Sequence, residues 1–441
     1  MVEIQIPEKV NKIIHTLQEH GYEAYAVGGC VRDSFLGREP MDWDITTSAM
    51  PEETKALFPH TFDTGIEHGT ITVLLDHEGF EVTTYRVDGK YEDSRHPKEV
   101  IFVRNLQEDL LRRDFTINAM AYNEKEGLVD IFGGMDDLRA GIIRCVGNAQ
   151  ARFSEDALRI LRGIRFAAQL GFELEDETRE GMRLLAPTLR KISAERIQVE
   201  LVKTLTSSRP DLLREAWKLG ITKEFLPEFD LAMETTQETV HHMYTVGEHI
   251  LHTLLEVRPD RILRLTMLLH DIGKPYMKTM DADGVAHFKG HPEKSSELAN
   301  EILHRLKFDN DTIRKVTKLV RYHDHRMPVT PAHVRRAVHE IGEDLFPLYL
   351  EVRRADVAAQ SMYQHKEKVA DIDGVEKLYH EIMERKECVS LKMLAVTGKD
   401  LIATGMKPGK EIGQMLEHFL DLVLEHPELN QKEELLKRIE L

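Results

Sequence analysis

A change of pattern near residue 140 constrains the fold more than any other feature of the 441-residue chain. Before it, β-rich segments alternate with helical ones. After it, apolar residues recur every three to four positions almost to the end. PEKVNKIIHTLQEHG puts Val10, Ile13, Ile14 and Leu17 on one helical face and stops at Gly21. EAYAVGG reads as a short apolar strand, and CVRDSFLG opens a helix. DWDITTS, TITVLLD and FEVTTYR are β-rich, with turn residues between them. ALRILRGIRFAAQLGF, LLREAWKLG, VGEHILHTLLEV and RILRLTMLLHDIG carry the helical spacing. The expected class is α+β, with a small mixed head over residues 1–140 and an all-α remainder.

Charge and cysteine usage narrow the setting. The net charge of −17 counts against a nucleic-acid partner, but its distribution matters more than its total. Residues 1–140 hold 14 Lys and Arg against 27 Asp and Glu, whereas residues 141–210 hold 12 against 9. A basic segment thus follows an acidic one, whose carboxylates serve solubility or collect divalent cations. No apolar run approaches the ~20 residues of a membrane span, so no membrane partner is expected. The start, MVEIQIPEKVNKII, lacks the basic-then-apolar order of an export signal. Cys30, Cys145 and Cys388 form no CxxC pair, which fits a reducing cytoplasm and not zinc held by thiolates.

Asp42 and Asp44 stand in MDWDITT. On a strand, residues two apart share a face, so this spacing aims two carboxylates at one spot. Such a pair is costly without a cation, and hard oxygen ligands select Mg²⁺. Glu81, in FEVTTYR, offers a third carboxylate from a neighbouring strand. Upstream, Gly28 and Gly29 join a strand directly to a helix, a turn that points backbone N–H groups at a triphosphate. Arg32 reaches the same phosphates from the first helical turn. Each element alone is common; GGxVRD followed by DxD is far more specific.

VGGCVRD, MDWDITT, FEVTTYR, RRDFTINAMAY and SEDALRILRGIRF, in this order, resemble the bacterial class II tRNA nucleotidyltransferases and their poly(A) polymerase relatives. The C-terminal LIATGMKPGKEIGQML…LEHPELNQKEELL also resembles the tail of CCA-adding members. The resemblance implies a polymerase-β-like head over 1–140, a helical neck over 141–207, a body over 208–385 and a tRNA-binding tail over 386–441. It implies that Asp42 and Asp44 hold Mg²⁺ while Gly29 and Arg32 meet the triphosphate. Arg113 would contact the incoming nucleotide, and Asp114 would order its ribose side.

Within SEDALRILRGIRF, Asp156 and Arg159 are three apart and would share a helical face, with Arg162 and Arg165 extending the row. CTP and ATP both carry an amino group beside an acceptor; GTP and UTP present a carbonyl there. An Asp/Arg pair can therefore accept C and A and leave groups unpaired against G and U. The resemblance assigns base reading to Asp156 and Arg159, and phosphate contact or support to Arg162 and Arg165. RVDGKYEDSRHPKEVIF corresponds to the loop that permits the switch from C to A addition, and it is full length. The expected activity is CCA addition to the tRNA 3′ end from CTP and ATP, with poly(A) polymerase or an A-adding enzyme as the alternative.

A second constellation lies in the body. His242 in HHMYTVGEH, His270 and Asp271 in LLHDIGKP, and Asp356 in RRADVAAQ combine imidazole with carboxylate, a set suited to a divalent metal with open positions for water. LLHDIGKP after HxxYTVxxH resembles the HD phosphohydrolase superfamily. His291 and His323 lie where some such proteins place further ligands, giving one or two metals. His241, His249 and His252 read as helix surface and packing. The resemblance implies phosphomonoester or cyclic-phosphate hydrolysis, with a retained metal site lacking turnover as the alternative.

Overall fold

Helix Glu8–Glu19 forms where the periodicity places it and buries Val10, Ile13, Ile14 and Leu17 completely. Each such burial is worth about 1.5–3 kcal/mol, which fixes the helix against the sheet. The computed structural model describes residues 4–88 and 100–439. The chain divides into two compact units, Met1–Pro227 and Glu228–Leu441.

The first unit is built on a seven-stranded sheet of order β3-β4-β5-β2-β1-β8-β9. Its strands are β1 (Ala24–Val27), β2 (Ile45–Thr47), β3 (Thr61–Gly65), β4 (Thr70–Leu75), β5 (Glu78–Thr84), β8 (Ala121–Asn123) and β9 (Gly127–Val129). A separate pair, β6 (Arg86–Asp88) and β7 (Val100–Phe102), brackets an undescribed stretch. Most of the C-to-A switching loop therefore lies outside the described residues. β1 is buried at all four positions and sits between β2 and β8. It ends at Gly28, whose φ of 82° admits glycine readily, and helix Gly29–Phe35 starts at once.

Helices follow from residue 149: Ala149–Glu155, Leu158–Leu170, Asp176–Leu185 and Ala194–Leu205. The sequence reading divides neck from body at residue 207, whereas the first unit runs on to Pro227. Leu213, Ala216 and Leu219 are buried in that added stretch. The second unit is helical apart from a two-stranded pair at Thr279–Met280 and Ala286–His287. One of its cores includes Val334, Phe346 and Tyr349, and another, in the tail, includes Leu401, Phe419 and Val423. Arg335 ties the tail down by donating to the Leu424 carbonyl (2.7 Å) and to Glu387 (2.7 Å).

Candidate active sites

The first unit holds a cleft of about 440 Å³ lined by Gly28, Gly29, Arg32, Asp44, Arg113, Asp114, Asp156, Arg159 and Arg162. Arg112, Asn118, Leu158, Phe166 and Arg196 complete the lining. Strand β2 starts only at Ile45, so Asp42 and Asp44 stand in the segment leading into it, not on the strand. The Asp44 carbonyl still accepts from Val27 N–H at 3.0 Å, one step beyond the β1–β2 ladder. Ile45 pairs with Val82 in the parallel β2–β5 register, which places Glu81 at the step of Asp44. All three carboxylates are exposed. The surrounding protein raises the Asp44 pKa, Arg113 opposes the rise, and the like charge of Asp42 adds to it. That is the donor set and charge imbalance a hard divalent cation relieves.

Glycine at 28 is required by space as well as by backbone angle. A Cβ there would sit 3.1 Å from Nη1 of Arg113, so the guanidinium lies directly against the turn. Asp109, fully buried, holds Arg113 (3.3 Å) and Arg112 (2.9 Å). Arg32 donates to Asn118 Oδ1 at 2.6 Å and to both oxygens of Asp33 at 2.9 Å. Asp114 is buried, and burial alone would raise its pKa. Arg162, with help from Asn118, overcomes this and lowers it to about 2. The Arg162–Asp114 ion pair measures 2.5 Å.

The base-reading segment departs from the sequence reading. Asp156 is not helical (φ −138°, ψ 105°) and separates helix Ala149–Glu155 from helix Leu158–Leu170. Its carboxylate accepts from Leu158 N–H at 3.0 Å and from Arg196 at 2.8 Å. Arg159 donates to Glu155 (2.7 Å) and to the Arg112 carbonyl (2.9 Å). Both line the cleft without forming the shared-face helical pair expected of them. Arg165 leaves the row: buried, it pairs with Glu200 at 3.1 Å and does not line the cleft. Arg32, Arg162 and Arg165 all lie over the Phe166 ring, at 5.1, 5.3 and 4.2 Å.

In the second unit, two triads of ligand atoms share Asp271: His249, His270, Asp271 and Asp271, His291, His323. Both are buried. His249 Nε2 lies 2.9 Å from Asp356 Oδ1 and 3.6 Å from Asp271 Oδ2. The Nδ1 atoms of His270, His291 and His323 each meet a backbone carbonyl, at Met267, Phe288 and Val320. That fixes the tautomer and leaves each Nε2 lone pair facing inward. His291 Nε2 and His323 Nε2 then face one another at 3.2 Å, and His270 Nε2 is buried with no hydrogen-bond partner. Opposed lone pairs and an orphaned acceptor beside two carboxylates fit divalent metal ions. Burial would raise the Asp271 pKa, but Lys274 and then His270 hold it well below the ordinary range.

His242 is not in either triad. It precedes helix Val246–Glu256, packs edge-on against His249 at 4.9 Å, and its Nε2 faces Lys274 Nζ at 3.5 Å. Burial and then the Lys274 ammonium push its pKa down to about 2, so it is neutral. His249, read from sequence as packing, brings its Nε2 into one of the two triads instead. His252 does pack, stacked on Tyr244 at 4.2 Å.

The poly A polymerase head domain matches residues 24–144, the HD domain residues 239–337, and tRNA nucleotidyltransferase domain 2 residues 290–439. The CCA-adding enzyme of Levilactobacillus brevis is 36% identical over 410 residues, 93% of this chain and 91% of its own. That of Limosilactobacillus reuteri is 34% identical over 438 residues, 98% and 96% of the two chains. The chain belongs to the CCA-adding enzymes. Among solved CCA-adding enzymes, that of Bacillus stearothermophilus in complex with CTP aligns with a TM-score of 0.71 and 28% identity. It covers 98% of both chains. The Thermotoga maritima enzyme complexed with tRNA shares the fold, with a TM-score of 0.61 and 21% identity.

Membership in the CCA-adding enzymes makes the chain a tRNA nucleotidyltransferase and disfavours the poly(A) polymerase alternative. No described helix is long and apolar enough to cross a membrane. The sequence reading missed Asp109, Asn118, Glu155, Phe166 and Arg196, which hold the cleft's arginines and Asp156. Asp109 carried a signal: in EDLLRRD it precedes two arginines at helical i+3 and i+4 spacing.

Proposed function

We propose that the first unit adds C, C and A to the 3′ end of tRNA from CTP and ATP, and that the second is a metal-dependent phosphohydrolase. The tRNA 3′-hydroxyl attacks the α-phosphorus of the nucleotide, the new O–P bond forms, and pyrophosphate leaves. Mg²⁺ held by Asp42 and Asp44, with Glu81 beside them, would lower the hydroxyl's pKa and offset charge on the leaving group. The Gly28–Gly29 turn and Arg113 bind the triphosphate. Asp114 with Arg162 orders the ribose side. Asp156 accepts from the exocyclic amine shared by C and A, and Arg159 donates to the neighbouring acceptor. Glu155 and Arg196 hold those two side chains in place before a base arrives.

The convergence of these groups with Asp44 on one cleft carries the reading. Asp44→Ala is expected to abolish Mg²⁺-dependent incorporation with an unchanged circular dichroism spectrum; retained incorporation would remove the metal assignment.

For the second unit, the inward-facing imidazoles with Asp271 and Asp356 support a phosphohydrolase. Metal ions there would supply an activated water and polarise a phosphoryl oxygen. Lys274 and neutral His242 line the same cavity of about 450 Å³ and suit a phosphate oxygen. Phosphomonoesters and cyclic phosphates are the substrates to screen. Loss of bound metal and of hydrolysis together in His270→Ala is the expected result; metal binding without turnover on any substrate would leave a purely structural site. Three free, buried cysteines agree with a cytoplasmic setting.

A further inference from the structure

In the sheet of the first unit, the triphosphate turn and the third carboxylate lie on opposite sides of Asp44. Along the order β3-β4-β5-β2-β1, the Gly28–Gly29 turn follows β1, Asp44 leads into β2, and Glu81 stands on β5. Phosphoryl transfer sets the attacking and leaving oxygens roughly in line. With pyrophosphate departing on the β1 side, the tRNA 3′-hydroxyl approaches from the β5 side. The next strands in that direction are β4 and β3.

Side chains on these strands alternate between two faces. Ile71 and Val73 of β4 and Val82 of β5 are buried on one. On the other, Glu81 pairs across with Thr72, and Thr72 with Phe62. This row continues the step of Asp44 outward, with Phe62 two strands, about 10 Å, beyond Glu81. Phe62 is 56% exposed, and a ring left so open adds little to the core. The β3 register shifts between Phe62 and Gly65, and the Thr64 hydroxyl lies 2.8 Å from that of Thr72. A second hydroxyl pair, Thr70 with Thr83, follows at 3.1 Å.

We propose that this face is the subsite for the tRNA strand just upstream of its reacting end. The base next to the 3′-terminal one stacks on Phe62. The Thr64 and Thr72 hydroxyls meet its ribose, each able to donate to or accept from a 2′-hydroxyl. This chemistry suits a primer that lengthens. Successive additions bring different bases to the same place, and stacking on a ring tolerates any base. Neutral hydroxyls also let the strand advance one nucleotide per addition, which a charge-assisted clamp on phosphate would resist. The subsite takes its direction from the proposed roles of Asp44 and Glu81, and it adds residues that hold the RNA and not the nucleotide.

The test measures A addition to tRNA that already ends in the two C residues, using the full chain. Phe62→Ala is expected to raise the KM for this tRNA roughly tenfold, the loss of one stacked base, with the KM for ATP at its wild-type value. Phe62→Trp restores the tRNA KM, and Thr64→Val raises it about threefold. With 4-thiouridine in place of the first C, photo-crosslinks to the wild-type chain are expected in residues 61–72. An unchanged tRNA KM in Phe62→Ala with no crosslink in that segment would overturn the subsite, as would a rise confined to the KM for ATP. If Asp44→Ala then still loses incorporation, the metal reading stands without the subsite. A raised tRNA KM and crosslinks at 61–72 beside an active Asp44→Ala would keep the subsite and remove the metal reading.

Discussion

At the scale of single residues, Asp114 shows how a buried charge is retained for function. Its pKa of about 2 against an ordinary 3.8 means that ionisation favours the folded state above about pH 4. That stabilisation, on the order of 2–3 kcal/mol for a shift of this size, is lost as pH falls through about 2. Asp114→Asn leaves Arg162 without its buried partner, so a stability loss of about 3 kcal/mol is expected, read by urea titration near neutral pH. The loss should shrink in acid. A variant as stable as the wild type would show that Arg162 finds another anion. Arg159→Ala is expected to erase discrimination of CTP and ATP from UTP and GTP by one to two orders of magnitude in kcat/KM. Unchanged selectivity would take Arg159 out of base reading. For His249 the expected outcome of substitution by Ala is loss of bound metal, while His242→Ala keeps it. Metal analysis of the two proteins decides between the sequence assignment and the geometric one.

At the scale of elements, periodicity made some placements legible and hid others. The first helix and β1 follow directly from apolar spacing, because each needs only one buried face. Asp156 does not, because the apolar rhythm of ALRILRGIRF right after it masks the break that precedes the helix. The clue is chemical: an Asp side chain competes for nearby backbone N–H groups, and the Asp156 carboxylate accepts from Leu158 N–H. HHMYTVGEH hides a helix start in the same way. Thr245 caps the helix by accepting from Glu248 N–H, so His242 precedes the helix and His249 lies one turn inside it. For Arg165 the structure favours support over phosphate contact: a neighbouring helix supplies its anion, Glu200, and its guanidinium lies over Phe166. Close packing also yields a test. A Cβ on Gly273 would lie 2.5 Å from the Ser295 backbone nitrogen, so Gly273→Ala must push away helix His291–Arg305. Overpacking of this kind costs about 1–3 kcal/mol. Because His291 opens that helix, the variant should also bind less metal at a lower Tm; unchanged stoichiometry would show that the helix has slack.

At the scale of the whole molecule, two compact units each carry a site built from their own residues. The two chemistries should therefore separate: His270→Ala keeps nucleotide addition and Asp44→Ala keeps metal in the second unit. The overall acidity was a poor guide to a nucleic-acid partner, since Arg32, Arg112, Arg113, Arg159, Arg162 and Arg196 gather on one cleft. On that cleft rests the addition of a defined C-C-A sequence. Its most direct measurement supplies tRNA lacking the terminal triplet with labelled CTP and ATP and resolves the products by length. Two C additions followed by one A, then a stop, are expected, with no incorporation by Asp44→Ala. An indefinite ladder of A, or C and A incorporation by Asp44→Ala at the wild-type level, would contradict it.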